Sequence, residues 1–309
     1  MVVTVTLNPA IDKTIEITSF EIGELNKVEN SIQDPGGKGI NVSKVIESLG
    51  GKSVATGFLG GSAGQYIKSA LQKLQINNDF IEIQNETRTN LKIFDRTSSD
   101  TTEINEPGPY VNALEVEALL EKVASLLSDN DILVISGSAP KSIHESIYSD
   151  LVLIGKKKGT SVFLDASGKA FESGIQAKPD YIKPNRHELE LYFDHAIPDD
   201  AALVKAGKHF LDLGIPHVFV SLGKEGAFYC DKELAYRMLP LKIDAHSSVG
   251  AGDAFVGAFV YALDHGLSLD EMLRLAVATS AGAVMTVGTK PMNVEWIMNQ
   301  LDRIEIVMC

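Results

Sequence analysis

The sequence predicts an α/β protein, with a mostly parallel central sheet, helices on both faces and a smaller second sheet. Three observations carry that expectation. Short β-branched apolar runs alternate with longer amphipathic stretches along most of the chain, the signature of parallel strands buried on both faces. Two segments break this pattern with a polar–apolar alternation of period two, which suits half-exposed sheet. Glycine-rich turns stand where apolar runs hand over to helical patterns, as at ligand sites of open α/β sheets.

The elements follow in order. Val2 to Leu7 opens the chain as a strand, and Asp12 to Gln33 reads as a hairpin. After Pro35 to Ser43 (PGGKGINVS) comes a helix over Ile40 to Leu49, then a strand over Ser53 to Phe58 and a helix over Ala63 to Leu74. Arg88 to Glu106 repeats the period-two pattern. Helices over Ala113 to Leu127 and Ser142 to Lys157 flank a strand at Ile132 to Ile135, and another strand follows at Val162 to Leu164. The helix Asp199 to Leu213 feeds through Gly214 and Pro216 into a strand over Val218 to Leu222, with glycine and proline marking the stop. Ser221 to Gly226 (SLGKEG) is a tight turn toward Ala227 to Cys230. The small and apolar run Ala276 to Val287 is too short to span a bilayer, which takes roughly 20 residues, and reads as a buried helix. The two period-two segments, about 12–33 and 88–106, are expected to form a β-lid inserted into a single α/β domain; ordinary edge strands are the alternative.

Composition narrows the function. A chain of 309 residues that is 44% hydrophobic buries a sizeable core. A formal charge of −13 repels nucleic-acid backbones and anionic membranes, so neither is an expected partner. An anionic ligand then needs a local cluster of cations or backbone N–H groups. Two cysteines, Cys230 and Cys309, form neither a disulfide framework nor a metal-ligand spacing. They read as reduced and cytoplasmic, and no export signal precedes the first strand.

The most informative stretch is Ser247 to Gly257 (SSVGAGDAFVG). Gly250 and Gly252 let consecutive N–H groups point into one concavity at a helix start, which is an anion-binding design. Asp253 stands in that mouth, where a carboxylate beside a bound anion serves to accept a proton from an attacking hydroxyl. In PGGKG, glycines permit close backbone approach and Lys38 supplies positive charge, with Asn41 one turn further on. The register is not Walker A, and no G-x-G-x-x-G follows the first strand. In Pro184 to Glu188 (PNRHE), Asn185 and Glu188 make a capping box that also suits Mg²⁺ held through water. HELEL is not H-E-x-x-H, so His187 is a surface or packing residue.

NPAID, GGKGIN, PNRHE, SLGKEG and SVGAGDAF occur in an order and spacing that resemble the ribokinase-like carbohydrate kinases, also called the PfkB family. The resemblance covers essentially the whole chain. TVTLNPAID, GFLGG, ETRTNLKI and ISGSAP resemble its 1-phosphofructokinase and tagatose 6-phosphate kinase branch; Ala254 and Phe255 depart from that branch. What the resemblance implies is a ribokinase-like fold, with Mg-ATP as donor and a phosphorylated ketohexose as acceptor. Fructose 1-phosphate is the expected acceptor, with tagatose 6-phosphate as the alternative. The family pattern assigns Asp253 as base, with Gly250, Ala251 and Gly252 as its anion hole. It assigns the acceptor to Asp12, Gly37, Lys38, Asn41, Arg88, Asn90 and Ser138, with Lys27 as a further contact. ATP falls to Lys183, Asn185, Ser221, Gly223 and Gly226, and Mg²⁺ to Glu188. A monovalent cation near Asp244 and Gly288, and a homodimer through the lid, are further family features. A different class, a non-catalytic sugar-phosphate or nucleotide sensor on the same scaffold, is disfavoured by the intact Asp253, Gly250 and Gly252.

Overall fold

The computed structural model describes residues 1–243, 250–286 and 292–309. Ser247 to Val249 of the glycine-rich stretch, and the Asp244 and Gly288 positions, lie outside the described residues.

The strands are β1 (Val2–Thr6), β2 (Ala10–Ile17), β3 (Asn30–Gly36), β4 (Ser53–Gly60), β5 (Asn77–Asn78), β6 (Ile81–Ile83), β7 (Arg88–Asp95), β8 (Asp100–Ile104), β9 (Ile132–Ser136), β10 (Ser161–Asp165), β11 (Tyr181–Ile182), β12 (His217–Ser221), β13 (Ala227–Cys230), β14 (Ala235–Met238) and β15 (Ile306–Met308). The helices are α1 (Lys38–Ser48), α2 (Gly61–Lys73), α3 (Ala113–Leu126), α4 (Ser146–Lys157), α5 (Gly168–Gln176), α6 (Arg186–Phe193), α7 (Asp200–Asp212), α8 (Ala251–Asp264), α9 (Leu269–Val284) and α10 (Val294–Met298).

The main sheet runs β15-β14-β13-β12-β11-β10-β9-β1-β4-β5, with β6 also on β4. Its centre, from β12 to β4, is parallel, and β13 to β15 add an antiparallel edge. Alternate residues of the central strands feed two cores. Val3, Val5, Leu133 and Leu164 pack with residues of α3 to α7. Val2, Val134, Phe163 and Phe219 pack with α1, α8 and α9. Strands covered on both faces favour apolar residues at successive positions, which is why Ile132 to Ile135 and Val162 to Leu164 show no alternation.

The period-two segments form a separate four-stranded sheet in the order β3-β2-β7-β8. Each is an antiparallel hairpin, and the hairpins join through a parallel β2–β7 pairing of eight residues. They are therefore not edge strands of the main sheet. Helix α4 starts at Ser146 instead of Ser142, because Ser142 Oγ accepts from Val111 N at 2.9 Å and residues 140–143 close a turn. The run from Ala276 lies within α9, and its last residue, Val287, is outside the described residues.

Candidate active site

The chain leaves β1 toward β4 on one side and later returns to β9 on the other. Such a reversal opens a crevice beyond the carboxyl ends of the strands. A cleft of about 1410 Å³ occupies that position, lined by Thr6 and Asn8 after β1, Ser136 to Ser138 after β9, Asp165 of β10, Lys183 after β11 and Ser221 of β12. The small sheet supplies its other wall through Asp12, Arg88, Asn90, Lys92 and Glu103. Every residue singled out above for catalysis, acceptor, nucleotide or metal lines this cleft except Lys27. Lys27 is exposed on the connection between β2 and β3.

Gly250 caps α8 in the left-handed region at φ 81°, a conformation that costs glycine little. Ala254 N makes the first intrahelical bond, to Gly250 O at 2.8 Å. The N–H groups of Ala251, Gly252 and Asp253 precede it and point out of the helix end. A methyl on Gly252 would sit 3.3 Å from Lys183 Nζ, so the ammonium stands over these N–H groups. The result is a small cationic bowl.

Asp253 is 7% exposed, and its Oδ2 accepts from Asn41 Nδ2 at 2.8 Å. Burial pushes its carboxyl up to about 6; Lys38 works against that and Asp165 with it. A carboxylate so tuned is a stronger base than an ordinary aspartate.

Asp165 is the charge that sequence reasoning missed. It is 1% exposed, and its Oδ1 lies 3.3 Å from Lys38 Nζ and 3.4 Å from Lys183 Nζ. Burial alone would raise its carboxyl, but the two ammonium groups outweigh burial and hold it below its ordinary value. In return Asp165, against the effect of burial, raises Lys38 well above the ordinary lysine value. Lys38 therefore stays charged at the cleft floor. An aspartate ending the apolar strand VFLD was the signal available in the sequence.

Lys92, 7% exposed, was also missed. Its Nζ lies 3.4 Å from Asp12 Oδ2, while Asn90 Nδ2 donates to Asp12 Oδ1 at 3.0 Å. Arg88 donates to Asn8 O at 3.0 Å and Glu106 O at 2.8 Å. Polar residues at 88, 90 and 92 on one face of a period-two strand were the available signal.

At the nucleotide end, Asn185 and Glu188 form a reciprocal capping box at the start of α6. Ser221 N donates to Pro184 O at 3.0 Å, which fastens β12 to that cap. Arg186 grips Glu225 with two bonds of 3.0 Å, and Arg237 Nη2 donates to Glu225 O at 2.7 Å. These bonds fix the turn over Gly223 to Gly226. Leu241, Val277 and Ala281 make an apolar wall beside it.

Several residues that line this cleft carry a buried polar atom without a hydrogen-bond partner: Thr6 Oγ1, Asn8 Oδ1, Asn41 Oδ1, Asn90 Oδ1 and Arg88 Nε. Each unsatisfied group costs on the order of 1–3 kcal/mol, so their clustering marks a place for a ligand rich in hydroxyls. Among the described residues, no three His, Cys, Asp or Glu side chains gather into a self-sufficient metal site. Glu188 offers a hard oxygen donor, since the cap occupies only its Oε2. That suits Mg²⁺, which keeps most of its water and takes its other ligands from phosphates.

The sequence pattern of the pfkB family carbohydrate kinases matches residues 5–296. A 1-phosphofructokinase of Borreliella burgdorferi is 36% identical over 286 residues, covering 92% of each chain. A tagatose-6-phosphate kinase of Staphylococcus epidermidis is 32% identical over 312 residues, covering 99% of each. Among solved structures, phosphofructokinase-2 of Escherichia coli in complex with substrates and products matches with a TM-score of 0.93 at 29% identity over 98% of each chain. That enzyme has also been solved with potassium and in a tetrameric inhibited form. Fold, cleft and sequence agree: the chain belongs to the pfkB family of carbohydrate kinases, phosphotransferases with an alcohol as acceptor.

Proposed function

We propose that the protein transfers the γ-phosphoryl group of ATP to fructose 1-phosphate, giving fructose 1,6-bisphosphate and ADP. The observation that carries this reading is Asp253, a buried carboxylate tuned to about 6 at a glycine-opened helix start, beside Lys183 and Lys38. In the reaction Asp253 takes the proton of the C6 hydroxyl. The freed oxygen bonds to the γ-phosphorus, the bond to the β,γ-bridging oxygen breaks, and ADP leaves. The N–H groups of Ala251 and Gly252, with Lys183, stabilise charge on the transferring oxygens. Asn185, Ser221, Gly223 and Gly226 hold the nucleotide, with its base against the Leu241 and Val277 wall. Mg²⁺ near Glu188, when bound, neutralises phosphate charge.

On the acceptor side, Asp12, Asn41 and Asn90 accept sugar hydroxyls, and Gly37 lets the backbone approach the ring. Arg88, Lys38 and Ser138 meet the resident phosphate, a remote anchor that orients the attacking hydroxyl. The small sheet acts as a lid that excludes water. Its β2–β3 connection exposes Ile22 at 91% and Leu25 at 86%; we include a homodimer through this edge, read out by sedimentation, in which Lys27 reaches the partner's cleft. The potassium complex of the E. coli enzyme extends the proposal to a monovalent cation, checked by turnover in potassium against tetramethylammonium. The cysteines, one buried and one exposed, are free and fit a cytoplasmic enzyme.

A second reading, tagatose 6-phosphate as acceptor, is favoured by the relative that matches 99% of this chain. The deciding experiment is a coupled ADP-release assay with Mg-ATP and fructose 1-phosphate, tagatose 6-phosphate, fructose 6-phosphate or ribose. The highest kcat/KM is expected for fructose 1-phosphate. A higher value for tagatose 6-phosphate selects the second reading, and no ADP release with any sugar rejects both.

A further inference from the structure

Lys92 is a buried lysine to which the mechanism above gives no task. It shares a face of β7 with Arg88 and Asn90, and it lines the cleft. A buried ammonium is expensive unless paired, and a methionine would fill the same space without that cost. Its pairing is specific. Lys92 holds Oδ2 of Asp12 while Asn90 holds Oδ1. A methyl on Gly36 would sit 2.6 Å from Asp12 Cγ, so the bare backbone of β3 closes a third side. One donor on each oxygen leaves the remaining lone pairs of Asp12 for the cleft.

We infer that Lys92 is a positioning residue for sugar recognition: its ammonium holds one oxygen of Asp12 and sets the direction in which that carboxylate accepts ring hydroxyls. The inference rests on the reading of this cleft as a sugar-phosphate site. Other charges reach Asp12. Arg88 of β7 and Lys44 of α1 feel its charge. Asp34 is its cross-strand partner on β3, and Glu103 of β8 stands on the same cleft wall. Lys92 is hydrogen-bonded to the carboxylate, at Oδ2.

The test is steady-state kinetics on the wild type, Lys92→Met, Lys92→Arg, Asp12→Asn and the Asp12→Asn/Lys92→Met double variant. The acceptor is whichever ketohexose phosphate the wild type uses best. Lys92→Met is expected to raise KM for the sugar phosphate roughly tenfold or more, the scale of a lost charge-assisted hydrogen bond. KM for ATP and kcat should stay within about twofold, since neither ATP nor the reacting hydroxyl touches Lys92. Lys92→Arg should restore most of the affinity, because the guanidinium can still hold Asp12 Oδ2. In the Asp12→Asn background Lys92→Met should change KM by less than about twofold, because a residue acting through Asp12 has nothing left to act on.

Full additivity of the two substitutions, or a KM defect that Lys92→Arg does not repair, overturns the inference. If circular dichroism shows Lys92→Met unfolded, Lys92→Gln takes its place in the same cycle, and the same outcomes support or overturn the inference. A wild type that turns over no ketohexose phosphate overturns the functional reading and this inference with it. An active wild type with additive variants overturns the inference alone.

Discussion

Asn41 Nδ2 donates to Asp253 Oδ2 at 2.8 Å, joining the first turn of α1 to the first turn of α8 across 212 positions of sequence. The bond leaves Asn41 Oδ1 buried without a partner. One amide therefore orients the proposed base with its nitrogen and offers its oxygen to the substrate. This gives Asn41 a second role beyond the sugar contact expected from sequence. The base and an acceptor contact become mechanically coupled.

Asp253→Asn is expected to lower kcat by about 10²- to 10⁴-fold, the usual worth of a general base, while KM for either substrate moves little. The amide keeps an oxygen for Asn41 and loses only the capacity to take a proton. Rapid-quench turnover together with ATP-binding calorimetry checks this. Near-normal turnover would remove Asp253 from the chemistry.

The same residue dictates a pH profile. With its carboxyl near 6, log kcat/KM should fall below about pH 6 with unit slope as Asp253 becomes protonated. Stability should run the opposite way. A folded value of about 6 against an ordinary 3.8 means that the contribution of the neutral carboxyl to folding is fully present below pH 3.8 and is lost as pH rises through 6. That loss is on the order of 3 kcal/mol. Asp253→Asn, which cannot ionise, should therefore melt a few degrees above the wild type at pH 7.5, with the gap closing toward pH 4. Calorimetric scans at both pH values read it out.

The layers of the fold were legible because burial on both faces forces apolar residues at successive strand positions, as in Ile132 to Ile135 and Val162 to Leu164. Both small-sheet hairpins were legible from period two. Their parallel union through β2 and β7 was not, because pairing between segments 78 residues apart at Asp12 and Asn90 leaves no local mark. Within the site, glycine-flanked residues such as Lys38 and Asp253 announced themselves through backbone chemistry. Asp165 and Lys92 did not. Their meaning lies in partners brought from distant strands, and an aspartate at a strand end or a lysine in an alternating strand is unremarkable until those partners are known.

Asp165→Asn removes the anion shared by Lys38 and Lys183, leaving two cations facing one another at the cleft floor. Breaking a buried pair from one side costs about 3–5 kcal/mol, so the melting temperature without ligand should fall by several degrees or more. Saturating ATP should recover more of this loss than it adds to the wild type, because phosphate oxygens replace the missing counter-charge. Differential scanning fluorimetry with and without nucleotide separates the two contributions. Equal ligand shifts in both proteins would show that the ATP phosphates do not meet Lys183.

Gly257→Ala tests the packing that brings Asn41 and Asp253 together. A methyl at 257 would stand 2.6 Å from Val45 Cβ and 3.0 Å from Val42 O, so α8 must move away from α1. Overpacking of this kind costs about 1–3 kcal/mol. The displacement is expected to stretch the Asn41–Asp253 bond one turn away on the same helices, lowering kcat more than it raises either KM. Val45→Gly removes the Cβ and Cγ1 that the new methyl would strike, so the double variant should regain turnover relative to Gly257→Ala alone. Turnover that stays low in the relieved double variant, or never falls in the single one, would show that helix spacing does not set the geometry of the base.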